Sequence, residues 1–132
     1  MVLTNTYRTE VNNYISSIPN WNYSATIRRH YKLNLHNSEK LMDRLFKWKY
    51  INKIFWVLEN DTTGYNHLHL LLDSTLLGNY ADIKDEMNTY LGGKKNAMCF
   101  SWLQPIQPSE VNYYIGYCTK KLSGNGGYGI LI

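Results

Sequence analysis

A central hairpin constrains this chain more than any other feature. Residues 51–59, INKIFWVLE, are β-branched and aromatic and read as a buried strand. Residues 60–64, NDTTG, carry the Asn, Asp and Gly chemistry of a chain reversal. Residues 65–73, YNHLHLLLD, read as the antiparallel partner. On each side of this hairpin stand one helix and one further strand. Residues 21–29, WNYSATIRR, alternate Tyr23, Ala25 and Ile27 with Ser24, Thr26 and Arg28, which predicts a strand with one buried and one polar face. A helix capped by Asn37 or Ser38 follows, with Leu41, Met42, Leu45, Phe46 and Trp48 on one side and Lys40, Asp43, Arg44 and Lys47 elsewhere. Beyond the hairpin, residues 79–91 predict a helix with Tyr80, Ile83, Met87, Tyr90 and Leu91 apolar, ended by Gly92 and Gly93, and residues 97–103 predict a strand.

Strand, helix, strand, strand, helix, strand is the split β-α-β order of a ferredoxin-like (RRM-like) α+β fold, an antiparallel sheet with helices on one face. Two more helices flank it. Tyr7, Val11, Tyr14, Ile15 and Ile18 fall at helical spacing over residues 4–18, which Pro19 and Asn20 stop. Pro105 and Pro108 punctuate the chain before a last helix that runs from Ser109 and Glu110 to about Leu122. The Gly-rich tail, SGNGGYGILI, is either a short closing strand or the cut end of a longer protein.

At 132 residues the chain has the size of one domain that buries a core without staples. Hydrophobic residues make up 44% and charged residues 18%, a globular balance that excludes disorder. Cys99 and Cys118 are too few for a disulfide framework and read as reduced thiols, hence a cytoplasmic setting. The start lacks a signal-peptide pattern, no apolar run is long enough to cross a bilayer, and no phosphate-binding Gly-Lys-Ser/Thr loop marks an NTPase. A net charge of +4 allows a nucleic-acid partner without requiring one. The aromatic share of 14% suits stacking on unpaired bases, and it also suits filling a core.

His67-Leu68-His69 is the sharpest motif. Residues two apart on a strand share a face, so both imidazoles project together while Leu68 turns to the core. Two ordinary surface histidines would give the same three letters. Glu59 adds weight, because it ends the other strand of the hairpin and can sit beside the imidazoles. Two neutral imidazoles and a carboxylate form a three-ligand set for a divalent cation. Asp61 and Asp73 are substitutes for the acid if the register slips. In the last helix, Tyr113 and Tyr117 lie four apart and Lys120 follows Tyr117 by three. A phenol beside an ammonium is a candidate nucleophile, since the cation favours the phenolate; the same pair also occurs as a snorkelling core-edge pair. Arg28, Arg29, His30, Lys32, Lys94, Lys95 and Lys121 are candidate contacts to backbone phosphates, or simply surface charge.

Together these residues resemble the HUH endonucleases, and more closely the rolling-circle replication initiators (Rep proteins) of small single-stranded DNA viruses, phages and plasmids. Phe55-Trp56-Val57-Leu58-Glu59 with His67-Leu68-His69 resembles the metal motif of that family. Tyr117-Cys118-Thr119-Lys120 resembles its nucleophile motif, whereas Tyr23-Ser24-Ala25-Thr26-Ile27 is a weaker match to its first strand motif. The resemblance spans roughly residues 21–122 of one nuclease domain. It implies Mn²⁺ or Mg²⁺ on His67, His69 and Glu59, attack by Tyr117 on single-stranded or stem-loop origin DNA, and a 5′-phosphotyrosine with a free 3′-OH. It implies that Lys120 stabilises charge on the phenolate or phosphate. Some phage initiators carry two tyrosines four apart, which makes Tyr113 a candidate second nucleophile. The expected setting is the host-cell cytoplasm, with no membrane, a host or viral helicase and polymerase as partners, and room for a homodimer.

Other readings stand beside this one, a small metal-binding structural protein with no DNA affinity among them. Single-tyrosine HUH transposases are similar, but they usually place a Gln four residues after the tyrosine, where this chain has Lys121. A non-catalytic RNA- or single-stranded-DNA-binding module on the same fold would need no metal set.

Overall fold

A computed structural model describes residues 2–60, 66–92, 100–122 and 127–132, with residues 2–6 and Tyr80 described by backbone alone. The elements run α1 (Val2–Ser17), β1 (Tyr23–Ile27), α2 (Leu35–Phe46), β2 (Ile51–Glu59), β3 (His67–Ser74), α3 (Tyr80–Gly92), β4 (Phe100–Pro105), a 3₁₀ turn (Pro108–Glu110), α4 (Val111–Cys118) and β5 (Tyr128–Leu131). The strands form one sheet in the order β4-β1-β3-β2-β5. Every pairing is antiparallel. The fold is α+β and ferredoxin-like, as the pattern of elements predicts.

The sheet has two buried faces. On one, Ile54, Trp56, Leu68, Leu70 and Leu72 pack with Leu41, Met42 and Leu45 of α2 and with Ile83, Met87 and Leu91 of α3. Each fully buried Leu here contributes roughly 1.5–3 kcal/mol. On the other, Phe55, Val57 and Leu71 pack with Val11 and Ile15 of α1 and with Ile115 and Cys118 of α4. The second face explains a departure from expectation. All five residues of β1 are buried, Ser24 and Thr26 included, although alternation predicts an exposed polar face.

Local chemistry sets several boundaries. Asn20 has φ 73°, a left-handed conformation that Asn tolerates, and the Trp21 indole N–H donates to the Ile15 carbonyl at the end of α1. The α2 cap is Asn34, not Asn37 or Ser38. Asn37 N–H donates to Asn34 Oδ1 at 2.8 Å and Asn34 N–H donates to Asn37 Oδ1 at 2.7 Å, so each satisfies the other's orphan donor, while Ser38 is buried in the first turn. Helix α2 stops at Phe46, and Trp48 beyond it stacks on Tyr90 at 4.6 Å.

Strand β4 carries a bulge. Ile27 pairs with Phe100 and Thr26 with Trp102, which leaves Ser101 as the extra residue. Phe100 and Leu103 can therefore both enter the α2–α3 core although they are three apart. The strand runs Phe100–Pro105, later than the predicted 97–103, and residues 97–99 lie outside the described ones. The last helix is also shorter than predicted, because its first turn is 3₁₀ and α4 ends at Cys118. The tail is a closing strand. β5 pairs with β2, Trp56 opposite Gly129, and the Gly127 carbonyl accepts from Leu58 N–H.

Candidate functional site

The site grows out of the hairpin register. Glu59 at the end of β2 pairs with His67 at the start of β3, and His69 pairs with Val57 on one side and Thr26 on the other. His67, His69 and Glu59 share the sheet face that bears α4, while Leu68 turns into the α2–α3 core. All three polar residues are buried. His67 Nε2 lies 3.3 Å from Glu59 Oε1, His69 Nε2 lies 3.1 Å from Oε2, and the two Nε2 atoms are 3.2 Å apart.

Neighbouring ligands of one cation with ~2.1 Å bonds at right angles stand about 3 Å apart. The three side chains fit that spacing, so the group can hold a metal ion, and among the described residues it is the one such cluster of His, Cys, Asp and Glu. Their charge states suit it as well. Burial presses the His69 imidazolium down to about 4 against the upward pull of Glu59, so the ring is neutral at pH 7 and offers a lone pair. Burial pushes the Glu59 carboxyl up, but in the acidic range where it titrates the electrostatic pull of His69, Lys120 and His67 outweighs burial and holds the group below its ordinary value. Thr26 Oγ1 lies 3.4 Å from His69 Nδ1, which orients the ring so that Nε2 faces the acid.

Helix α4 brings the tyrosine and lysine to the same place. The Tyr117 ring meets the His69 ring edge-on at 5.1 Å. Lys120 Nζ sits 3.8 Å above the Tyr117 ring centroid and 3.4 Å from Glu59 Oε2. Lys121 Nζ lies 3.6 Å from Glu59 Oε1. Tyr117 is 44% exposed, so the side chain is not sealed inside the protein. Residues that the sequence reading passed over fix α4. Arg8 on α1 donates from Nη2 to the Gly116 carbonyl at 3.1 Å and from Nε to Thr119 Oγ1 at 3.4 Å. The buried Thr119 hydroxyl in turn lies 2.7 Å from Asn12 Oδ1 and 2.9 Å from the Ile115 carbonyl. A guanidinium at a helix C-terminus caps orphan carbonyls and opposes the helix dipole.

A pocket of about 620 Å³ opens over this group, and Glu59, His67, His69, Tyr113, Tyr114, Tyr117 and Lys120 line it. Arg28, Ser24, Thr26, Ser101, Trp102 and Gln104 complete the lining. Tyr113 is exposed, and Tyr114 packs against the core edge. Among the described residues, the other candidate phosphate contacts, Arg29, His30, Lys32 and Lys121, do not line it. Arg29 lies over the Tyr31 ring at 5.4 Å, His30 packs on Tyr31, and Lys32 sits in the exposed loop before α2. Asp73 is not a substitute ligand, because it stands four residues beyond His69, roughly 13 Å along an extended strand, and pairs with Lys53 at 3.2 Å. Asp61, Lys94 and Lys95 lie outside the described residues. No described helix is long and apolar enough to cross a membrane.

No family model, curated protein or solved structure matches the chain.

Proposed function

We propose that this chain is a metal-dependent endonuclease that nicks and rejoins single-stranded DNA, a replication initiator of the HUH type. One observation carries the reading: a half-exposed tyrosine packs against a histidine of a buried two-His, one-acid set, and a lysine touches both the tyrosine ring and the acid. His67, His69 and Glu59 would hold Mn²⁺ or Mg²⁺. The bound ion supplies Lewis-acid polarisation of a phosphate oxygen.

The chain's own residues do the rest. The Tyr117 oxygen attacks phosphorus, the bond to the 3′ oxygen breaks, and that oxygen leaves as a 3′-hydroxyl after gaining a proton. The phosphate stays on Tyr117 as a 5′-phosphotyrosine, so the number of ester bonds is unchanged and the 3′-hydroxyl can reverse the step. Lys120, over the Tyr117 ring and beside the acid, is the cation assigned to stabilising charge on the phenolate or the phosphate. The Arg8–Thr119–Asn12 anchor fixes the short α4 that carries the Tyr117 ring against His69, which supports a positioned nucleophile. An attacked phosphate has to reach this pocket, which favours an unpaired strand or a stem-loop.

The test is covalent capture. A panel of end-labelled stem-loop oligonucleotides is incubated with the protein and Mn²⁺, and adducts are resolved under denaturing conditions. The reading requires an adduct carried on the 5′ end of the downstream fragment, abolished by Tyr117→Phe and retained in Tyr113→Phe. An adduct that survives Tyr117→Phe, or no adduct on any member of the panel, overturns it.

A further inference from the structure

We propose that Trp102 is the stacking platform of a nucleobase subsite beside the Glu59–His67–His69 set, with Ser24, Thr26 and Gln104 as its polar floor. The proposal rests on the single-stranded DNA reading above. Trp102 is 46% exposed, whereas Trp21 and Trp56 are buried and Trp48 is stacked on Tyr90. A large indole left half in water on a sheet has apolar surface still to cover.

The backbone aims this side chain deliberately. Without the bulge, a strand that sends Phe100 into the α2–α3 core would send Trp102 there too, since the period is two. The extra Ser101 breaks the alternation, and Trp102 joins Thr26 on the face of the site. The Ser101 hydroxyl donates to the Thr26 carbonyl at 3.4 Å and latches the bulge. Trp102, Thr26 and His69 then form one row across β4, β1 and β3. Two strand spacings, about 9.5 Å, separate the first from the last. That span suits a base whose nucleotide adjoins the phosphate at the acid and imidazoles.

The floor selects the kind of group. Ser24 and Thr26 offer hydroxyls and Gln104 an amide, all uncharged and all lining the pocket. Neutral donors and acceptors match base edges, and an aromatic face matches a base plane. Arg28, at the same pocket, is the residue suited to phosphate.

The experiment compares two probes, a labelled oligothymidylate and an abasic sugar-phosphate strand of equal length, bound in the Tyr117→Phe background without divalent metal. Trp102→Ala is expected to weaken oligothymidylate about ten-fold and to leave the abasic strand unchanged. Trp102→Phe, which keeps a stacking ring, is expected to retain most of the preference for bases. Equal weakening of both probes, or of neither, overturns the subsite. Cleavage plays no part in this assay, so the two readings fail separately. Adduct formation with no base preference through Trp102 removes the subsite alone, and base preference without any adduct removes the nicking activity alone.

Discussion

Divalent metal should stabilise the fold through Glu59. An ion that binds the folded chain and not the unfolded one adds about 2.7 kcal/mol when its concentration is a hundred times the dissociation constant. Over 132 residues the unfolding entropy is about 0.28 kcal/mol/K, so the melting temperature should rise by ~10 °C. Glu59→Gln keeps the side-chain volume and removes the anionic ligand. Without metal its effect should be small, within ~1 kcal/mol, because the buried carboxylate is costly to desolvate and its two lysine partners are partly or largely exposed. With Mn²⁺, the Glu59→Gln protein should show no rise. Asp73→Asn, which alters an acid committed to Lys53, should keep the full rise. Thermal melts followed by circular dichroism, with and without Mn²⁺ or Mg²⁺, read all three proteins. A wild-type melt indifferent to metal, or an undiminished rise in Glu59→Gln, refutes the assignment of these three ligands.

Two further outcomes test the packing around the site. A Cβ on residue 129 would stand 2.5 Å from Trp56 Nε1 and 2.6 Å from the adjoining ring carbon, so Gly129→Ala should cost about 1–3 kcal/mol; an unchanged urea midpoint would contradict that. Burial raises the Cys118 thiol from an ordinary 9.0 to about 12. A folded value above the unfolded one means that the contribution is whole below pH 9 and is lost as pH climbs toward 12. Wild type should therefore lose stability more steeply than Cys118→Ala above pH 9, and the Cys118 peptide should resist alkylation in the native protein at pH 8; rapid native labelling would count against it.

The sequence was most informative where one interaction decides the outcome. Period two in His67-Leu68-His69 and the short turn after Glu59 were enough to bring two imidazoles and an acid together, because a hairpin leaves few registers to choose from. The Tyr117-to-Lys120 spacing was legible for the same reason, since a helix turn fixes which side chains are neighbours. Features that depend on distant partners were not. Ser24 and Thr26 look solvent-facing until α4 walls a pocket over their side of the sheet. Arg8 and Asn12 are unremarkable letters until they meet Thr119, more than a hundred residues away in sequence. The bulge at Ser101 leaves no mark in composition, although Phe100 and Leu103 at odd spacing are its trace. The reciprocal Asn34–Asn37 cap was misplaced because Ser38 mimics a cap while serving as a core residue.

Because β5 returns to pair with β2, the strand that bears Glu59 has neighbours on both sides, as does β3 with its two histidines. Amides along these inner strands should be among the slowest in the molecule to exchange with deuterium, while Tyr117 rides on a helix of only eight residues outside the sheet. The acid and imidazoles are thus carried by strands paired on both sides, and any adjustment that a bound strand demands is expected to fall to the element that carries the phenol.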